Sequence, residues 1–83
     1  MTTGKYNNIN VNRLYELNEK VSAKEATFQE KNELMRILYE NDSIPSDMYA
    51  NYINGTRTEA LLKTGVRLGN LILLGYILEK KFG

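Results

Sequence analysis

Cysteine and histidine are both absent from this 83-residue chain. Without cysteine there is neither a disulfide framework nor a thiolate metal site to compensate for a small core. Without histidine the chain lacks the commonest general base, the commonest metal ligand and any Ser/His or Cys/His nucleophile pair. No glycine-rich phosphate loop and no convergent carboxylate pair stands in their place, so the sequence points away from an enzyme, a metal site or a cofactor. An excess of one charge is missing too: 11 Lys and Arg face 10 Asp and Glu. DNA and RNA binding normally leaves a basic excess, so a nucleic-acid partner is not expected. Residues 1–10, MTTGKYNNIN, contain no apolar signal core, which sets a cytoplasmic location as the expectation. No window alternates with period two for long enough to make a strand.

The chain does contain a long apolar end. Residues 71–78, LILLGYIL, are apolar throughout apart from Gly75. A membrane span needs about 20 apolar residues, and Arg67, Asn70, Glu79, Lys80 and Lys81 flank this run closely. It therefore reads as too short to cross a bilayer. It is also too uniformly apolar for a surface helix, which would show polar residues every third or fourth place. A helix of this kind in a small protein is either sheathed by its own chain or shared between copies, and the composition favours sharing.

The rest of the chain reads as helices. Residues 1–9 carry no periodicity and are expected to form a flexible arm, leaving residues 10–83 as one helical domain. From Asn10, Val11, Leu14, Leu17 and Val21 recur at spacings of three and four. Ser22 with Glu25 has the pattern of a capping box, predicting two helices that meet near Ser22. The alternative is one helix to Tyr39 on the heptad Leu14, Val21, Phe28, Met35. In both versions Phe28, Leu34, Met35 and Leu38 face inward. Pro45 disfavours helix at the residue before it, so residues 41–46 form a loop and residues 47–53 a short helical turn. Asn54-Gly55 ends that turn in the left-handed region. Thr56 with Glu59 resembles a second capping box and opens a final helix over residues 57–81. The fold class is all-α: a small helical hairpin with an additional N-terminal helix and a long apolar C-terminal helix, homo-oligomeric.

Two groups on the last helix invite a function. Gly65 and Gly69 stand one turn apart, and each interior glycine costs about 1 kcal/mol relative to alanine. Close helix–helix approach would offset that cost, either between copies, which the apolar run favours, or against the 28–38 face of the same chain. Arg57, Lys63 and Arg67 lie near Thr56, Thr64 and Asn70 on a polar strip. Guanidinium and hydroxyl groups together suit phosphate, although spacing alone favours a solvated face. Tyr6 and Tyr15 lie near Arg13, Lys20 and Lys24, where a ring can stack on a base while a cation takes a phosphate. Glu16, Glu19, Glu30 and Glu33 interleave with lysines at helical spacing and read as solvated ion pairs.

The segment Gly55-Thr56-Arg57-Thr58-Glu59-Ala60-Leu61-Leu62-Lys63-Thr64 follows Pro45 and a spacer. It resembles the terminal hairpin of a family of small phage proteins that sequester the cyclic-nucleotide signals of bacterial CBASS immunity. That family shows an Arg, an apolar pair, and a Thr seven residues after the Arg, as Arg57 and Thr64 do here. Tyr6 in the arm and Lys20 on the following helix also have counterparts. The likeness covers about a third of the chain. The family's aromatic–His–Pro entry is absent, and LILLGYIL replaces its Met-Trp-Ala run.

What the resemblance implies is a compact homo-oligomer, a hexamer in the family pattern, without catalysis. Its pockets would lie between protomers and take cyclic di- or trinucleotides through Tyr6, Lys20, Arg57, Thr64 and Arg67. The competing expectation is a small helical regulator that binds a host protein through its surface.

Overall fold

The computed structural model describes residues 10–82, and among them every regular element is an α-helix. The order is α1 (Val11–Ser22), α2 (Phe28–Glu40), α3 (Ser46–Ile53) and α4 (Thr58–Phe82). The two-helix reading of the first half holds, since α1 stops at Ser22. The capping box, however, is not Ser22 with Glu25. It is Thr27 with Glu30: the Glu30 N–H donates to Thr27 Oγ1 at 3.1 Å, and the Thr27 N–H donates to Glu30 Oε1 at 2.8 Å. Asn10 caps α1 in the same sense, accepting from the Arg13 N–H at 3.1 Å. At α4 the expected Thr56–Glu59 box does not form. The helix opens at Thr58, and the Arg57 carbonyl accepts its first backbone bond from Leu61 at 2.9 Å.

The three connections share one solution. After α1, α2 and α3 the chain turns through a left-handed residue, Lys24, Asp42 and Gly55, at φ 61°, 59° and 83°. Each turn carries the paired hydrogen bonds that close a helix end in this way. Lys24 N–H donates to Val21 O and Glu25 N–H to Lys20 O; Asp42 and Ser43 repeat the pattern, as do Gly55 and Thr56. Glycine adopts this conformation freely, aspartate tolerates it, and lysine does so at a cost of roughly 1–2 kcal/mol. The Asn54-Gly55 expectation is thus met at Gly55.

These turns fold the chain back on itself so that α4 lies against α1 and α2, with α3 bridging α2 and α4. Leu14 and Leu17 from α1 meet Leu34, Met35 and Leu38 from α2, together with Ile44, Tyr52, Leu62 and Leu73. Phe28 is not part of this core. It is the first residue of α2, beyond the cover of its neighbours, and 75% exposed.

Gly65 and Gly69 of α4 face inward. A β-carbon at Gly65 would lie 2.8 Å from Met35 Sδ, and one at Gly69 would lie 2.5 Å from Asn18 Oδ1. Both approaches are within the chain, so the close packing that the glycines permit is α4 against α2 and α1. Asn18 is 2% exposed and reaches across with its amide nitrogen to Val66 O at 3.2 Å and to Asn70 Oδ1 at 2.9 Å. Its Oδ1 has no hydrogen-bond partner and points at the space a side chain on Gly69 would need.

Two stability outcomes follow from these contacts. Gly69→Ala should destabilise the fold by about 1–3 kcal/mol, the usual range for overpacking, because Asn18 is anchored and cannot swing away. Gly65→Ala should cost less, since the Met35 thioether is flexible. Chemical denaturation of both variants, and of Gly69→Ala combined with Asn18→Ala, checks this; the double variant should recover part of the loss. Lys24→Gly should raise stability by roughly 1 kcal/mol by relieving the left-handed lysine, read as a higher thermal midpoint.

Candidate functional site on the outward face of the last helix

With Leu62, Gly65, Gly69 and Leu73 turned inward, α4 presents an opposite face to solvent. Successive helical residues rotate by about 100°, so Ala60, Thr64, Arg67, Leu71, Leu74 and Leu78, at alternating spacings of four and three, fall on one stripe, and Arg57 is the residue just before the helix. All seven are exposed. The first half of the stripe is polar and cationic, with Lys63 beside it; the second half is apolar. Leu71, Leu74, Ile77 and Leu78 are 62%, 52%, 55% and 45% exposed.

Thr64 and Arg67 therefore share a face, Arg57 directly precedes the helix, and neither arginine nor Lys63 forms an ion pair among the described residues. Arg57 also sits at φ 52°, a left-handed conformation that arginine rarely takes. The Thr64 hydroxyl donates to Ala60 O at 3.2 Å, so its oxygen is free to accept, while donation to an anion requires rotation. Arg67 lies away from the Gly65 and Gly69 packing seam, exposed to solvent.

Lys20 belongs elsewhere. Its ammonium lies 2.6 Å from Glu30 Oε2, on the α2 side of α1, and no hydrogen bond or ion pair joins it to the α4 residues. Tyr6 lies outside the described residues. Beside the Lys20–Glu30 pair, Arg13 grips Glu33 with two bonds, Nε to Oε2 at 2.8 Å and Nη2 to Oε1 at 2.7 Å. It also reaches Glu16 at 3.1 Å. The sequence reading of Glu30 and Glu33 as pairs along one helix is thus corrected: they tie α2 to α1. Spacing along a helix could not reveal this, because the partners are 10 and 20 residues away.

An open groove of about 590 Å³ lies at the α2–α3 connection, beside Tyr39, Glu40, Asp42 and Ser46. Tyr39 stacks on Tyr49 with centroids 4.5 Å apart. Two carboxylates at its rim oppose an anionic ligand. Among the described residues, no group of acidic side chains is placed to hold a metal ion.

The length of α4 corrects one expectation. Thr58–Lys80 is long and apolar enough to cross a membrane, with a mean hydropathy of 1.4. Counting only residues 71–78 overlooked the stretch before them, where Lys63 and Arg67 are the sole charges between Ala60 and Asn70. Length and composition are weak grounds for a span, and the inward residues of this helix already form part of a core.

Comparison of the chain with protein-family models, curated proteins and solved structures finds no match.

The α1–α2 clamp gives a pH outcome. The Lys20 ammonium first, and then the Thr27 N–H, draw the Glu30 carboxyl from 4.5 down to about 2. A carboxyl depressed in the folded state adds stability above its unfolded pKa and loses it as pH falls through the folded one. The thermal midpoint should therefore fall between pH ~4.5 and ~2. Lys20→Met should flatten part of that fall, and superimposable profiles would show that the pair contributes nothing.

Proposed function

We propose that this protein is a non-catalytic binder that sequesters cyclic oligonucleotide signals, as a homo-oligomer assembled through α4. The observation that carries the reading is the placement of Thr64 and Arg67 on one exposed face of α4, with Lys63 alongside, Arg57 just before the helix and an uncovered apolar continuation. Guanidinium groups without carboxylate partners suit phosphates, which they hold through paired, charge-assisted hydrogen bonds. A flat helix face holds such a ligand weakly. Its uncovered leucines supply the means for a second wall, and the resemblance of the Arg57–Thr64 segment to phage sequestering proteins adds the ligand class. Lys20 would join the site by exchanging Glu30 for a phosphate, and Tyr6 would add a stacking surface. A phage origin and action in the host cytosol follow from that resemblance.

The uncovered leucines also favour a second reading, a helical regulator that docks on a host protein. Aliphatic side chains at spacings of three and four are the usual anchors of a helix in a groove.

Titration calorimetry with 3′,3′-cGAMP and a panel of cyclic di- and trinucleotides separates the two. Binding should occur, and Arg57→Ala should weaken it tenfold or more, since hydrogen bonds to charged groups contribute about 1.5–3 kcal/mol. Heat denaturation of the complex should return the nucleotide intact. Linear product would make the protein an enzyme. No binding across the panel would favour the protein-docking reading.

A further inference from the structure

We infer that the outward face of α4 docks on the surface of a bilayer rich in anionic phospholipid, the helix lying in the membrane plane with its inward face still packed on α1 and α2. Two features of that face select this occupant. Leu71, Leu74 and Leu78, with Ile77 beside them, are exposed and uncovered. One and two turns before Leu71 stand Arg67 and Lys63, exposed and without a carboxylate partner among the described residues.

The stripe itself carries no carboxylate. Glu59 and Glu79 adjoin its first and last residues, Ala60 and Leu78, and are therefore turned about 100° away to opposite sides. Leucines and cations without an opposing negative charge match the two layers of an anionic lipid surface, acyl chains below and headgroup phosphates above. Arg67 is one turn from Leu71. Its aliphatic stem can lie along the apolar surface while the guanidinium forks onto a headgroup phosphate.

Area and charge both disfavour a protein on this face. A half-exposed leucine offers on the order of 100 Å² or less, so four such residues fall short of the ~800 Å² that each partner gives to a stable protein interface. A second copy would also bring the same unpaired cations to the seam. A membrane surface sets no such threshold, because its hold on a helix grows with each increment of buried apolar area and with each cation near anionic lipid.

The length of α4 does not make it a span. Thr58–Lys80 is long and apolar enough to cross, yet Leu62 and Leu73 lie in the core and Asn18 holds Val66 O and Asn70 Oδ1 across the seam. Crossing would break those contacts and carry Lys63 and Arg67 towards hydrocarbon, where charge is costly. Lying flat keeps the core intact. The leucines cannot face lipid and a second protomer at once, so the inference concerns the single chain, and it does not rest on the nucleotide reading.

Cosedimentation with phosphatidylcholine vesicles, with and without phosphatidylglycerol, tests it. The chain should bind the anionic vesicles roughly tenfold or more tightly than the neutral ones, and high salt should release most of it. Positions 67 and 74 face solvent. Arg67→Glu and Leu74→Ser should therefore each weaken binding by roughly tenfold with helicity unchanged by circular dichroism. Because the chain has no cysteine, a polarity-sensitive dye can be attached at one chosen site. On Leu74→Cys its emission should shift to the blue with anionic vesicles; on Phe28→Cys, exposed on α2, it should not.

Equal binding to both kinds of vesicle would overturn the role of the cations, and equal dye shifts at both sites would overturn the choice of face. Binding that resists high salt and alkaline washing would make α4 a span and overturn the in-plane geometry. Protein left in solution by every vesicle would overturn the inference outright. So would a blue shift of the Leu74→Cys dye without lipid in a protein that sediments as a dimer, since a second copy would then cover the face.

Discussion

The close approach of α4 to α1 at Gly69 is the contact on which the rest of the fold depends. A helix 25 residues long, on the order of 37 Å at 1.5 Å per residue, runs the length of a molecule measuring 39 × 26 × 17 Å. It has one chance to choose which side it buries. Asn18 makes that choice by donating to Val66 O and Asn70 Oδ1 from a fully enclosed position. Any rotation of α4 about its axis would strand the amide and drive a side chain into it. The buried amide thus fixes register in the way single polar residues do in helix seams. Once Gly65 and Gly69 are committed inward, the Ala60–Leu78 stripe has nowhere to go but outward.

This division explains how a uniformly apolar run can sit in so small a protein. Leu73 is buried, and Leu71, Leu74, Ile77 and Leu78 are not. Three short helices supply one wall, enough for one side of α4 and no more. The exposed remainder is a surface of the kind that marks contact with a partner or a membrane. The cations that precede it on the same stripe set the chemistry of what can approach. Meanwhile the Arg13–Glu33 and Lys20–Glu30 pairs hold α2 to α1.

Much of the architecture was legible in the sequence because it rests on local rules. Leucine spacing in α1 and α2, Pro45 before α3 and Gly55 after it placed the helix ends to within a residue or two, except the start of α2, which lies at Phe28 and not just after Ser22. What escaped was the use of the same local vocabulary one step along the chain. Thr27 with Glu30, and not Ser22 with Glu25, caps α2, because the left-handed turn at Lys24 consumes the residues between. Glycine spacing in α4 was visible, but its partner was not. Asn18 gave one signal, a polar residue inside the Leu14, Leu17, Val21 stripe, and its meaning depends on a helix some 50 residues away. Of the site residues, Thr64 and Arg67 share a face because they share a helix, and Arg57 directly precedes it. Lys20 was placed by analogy and is held by a carboxylate that no spacing rule could have predicted.

The outward face of α4 carries the whole functional account, and backbone amide shifts in an NMR titration with 3′,3′-cGAMP test it most directly. Perturbations concentrated at Arg57, Thr64 and Arg67 and running on through Leu71, Leu74 and Leu78, with the amides of Tyr39 and Ser46 unmoved, are the predicted result. Shifts confined to the α2–α3 groove, or none at saturating nucleotide, would contradict it.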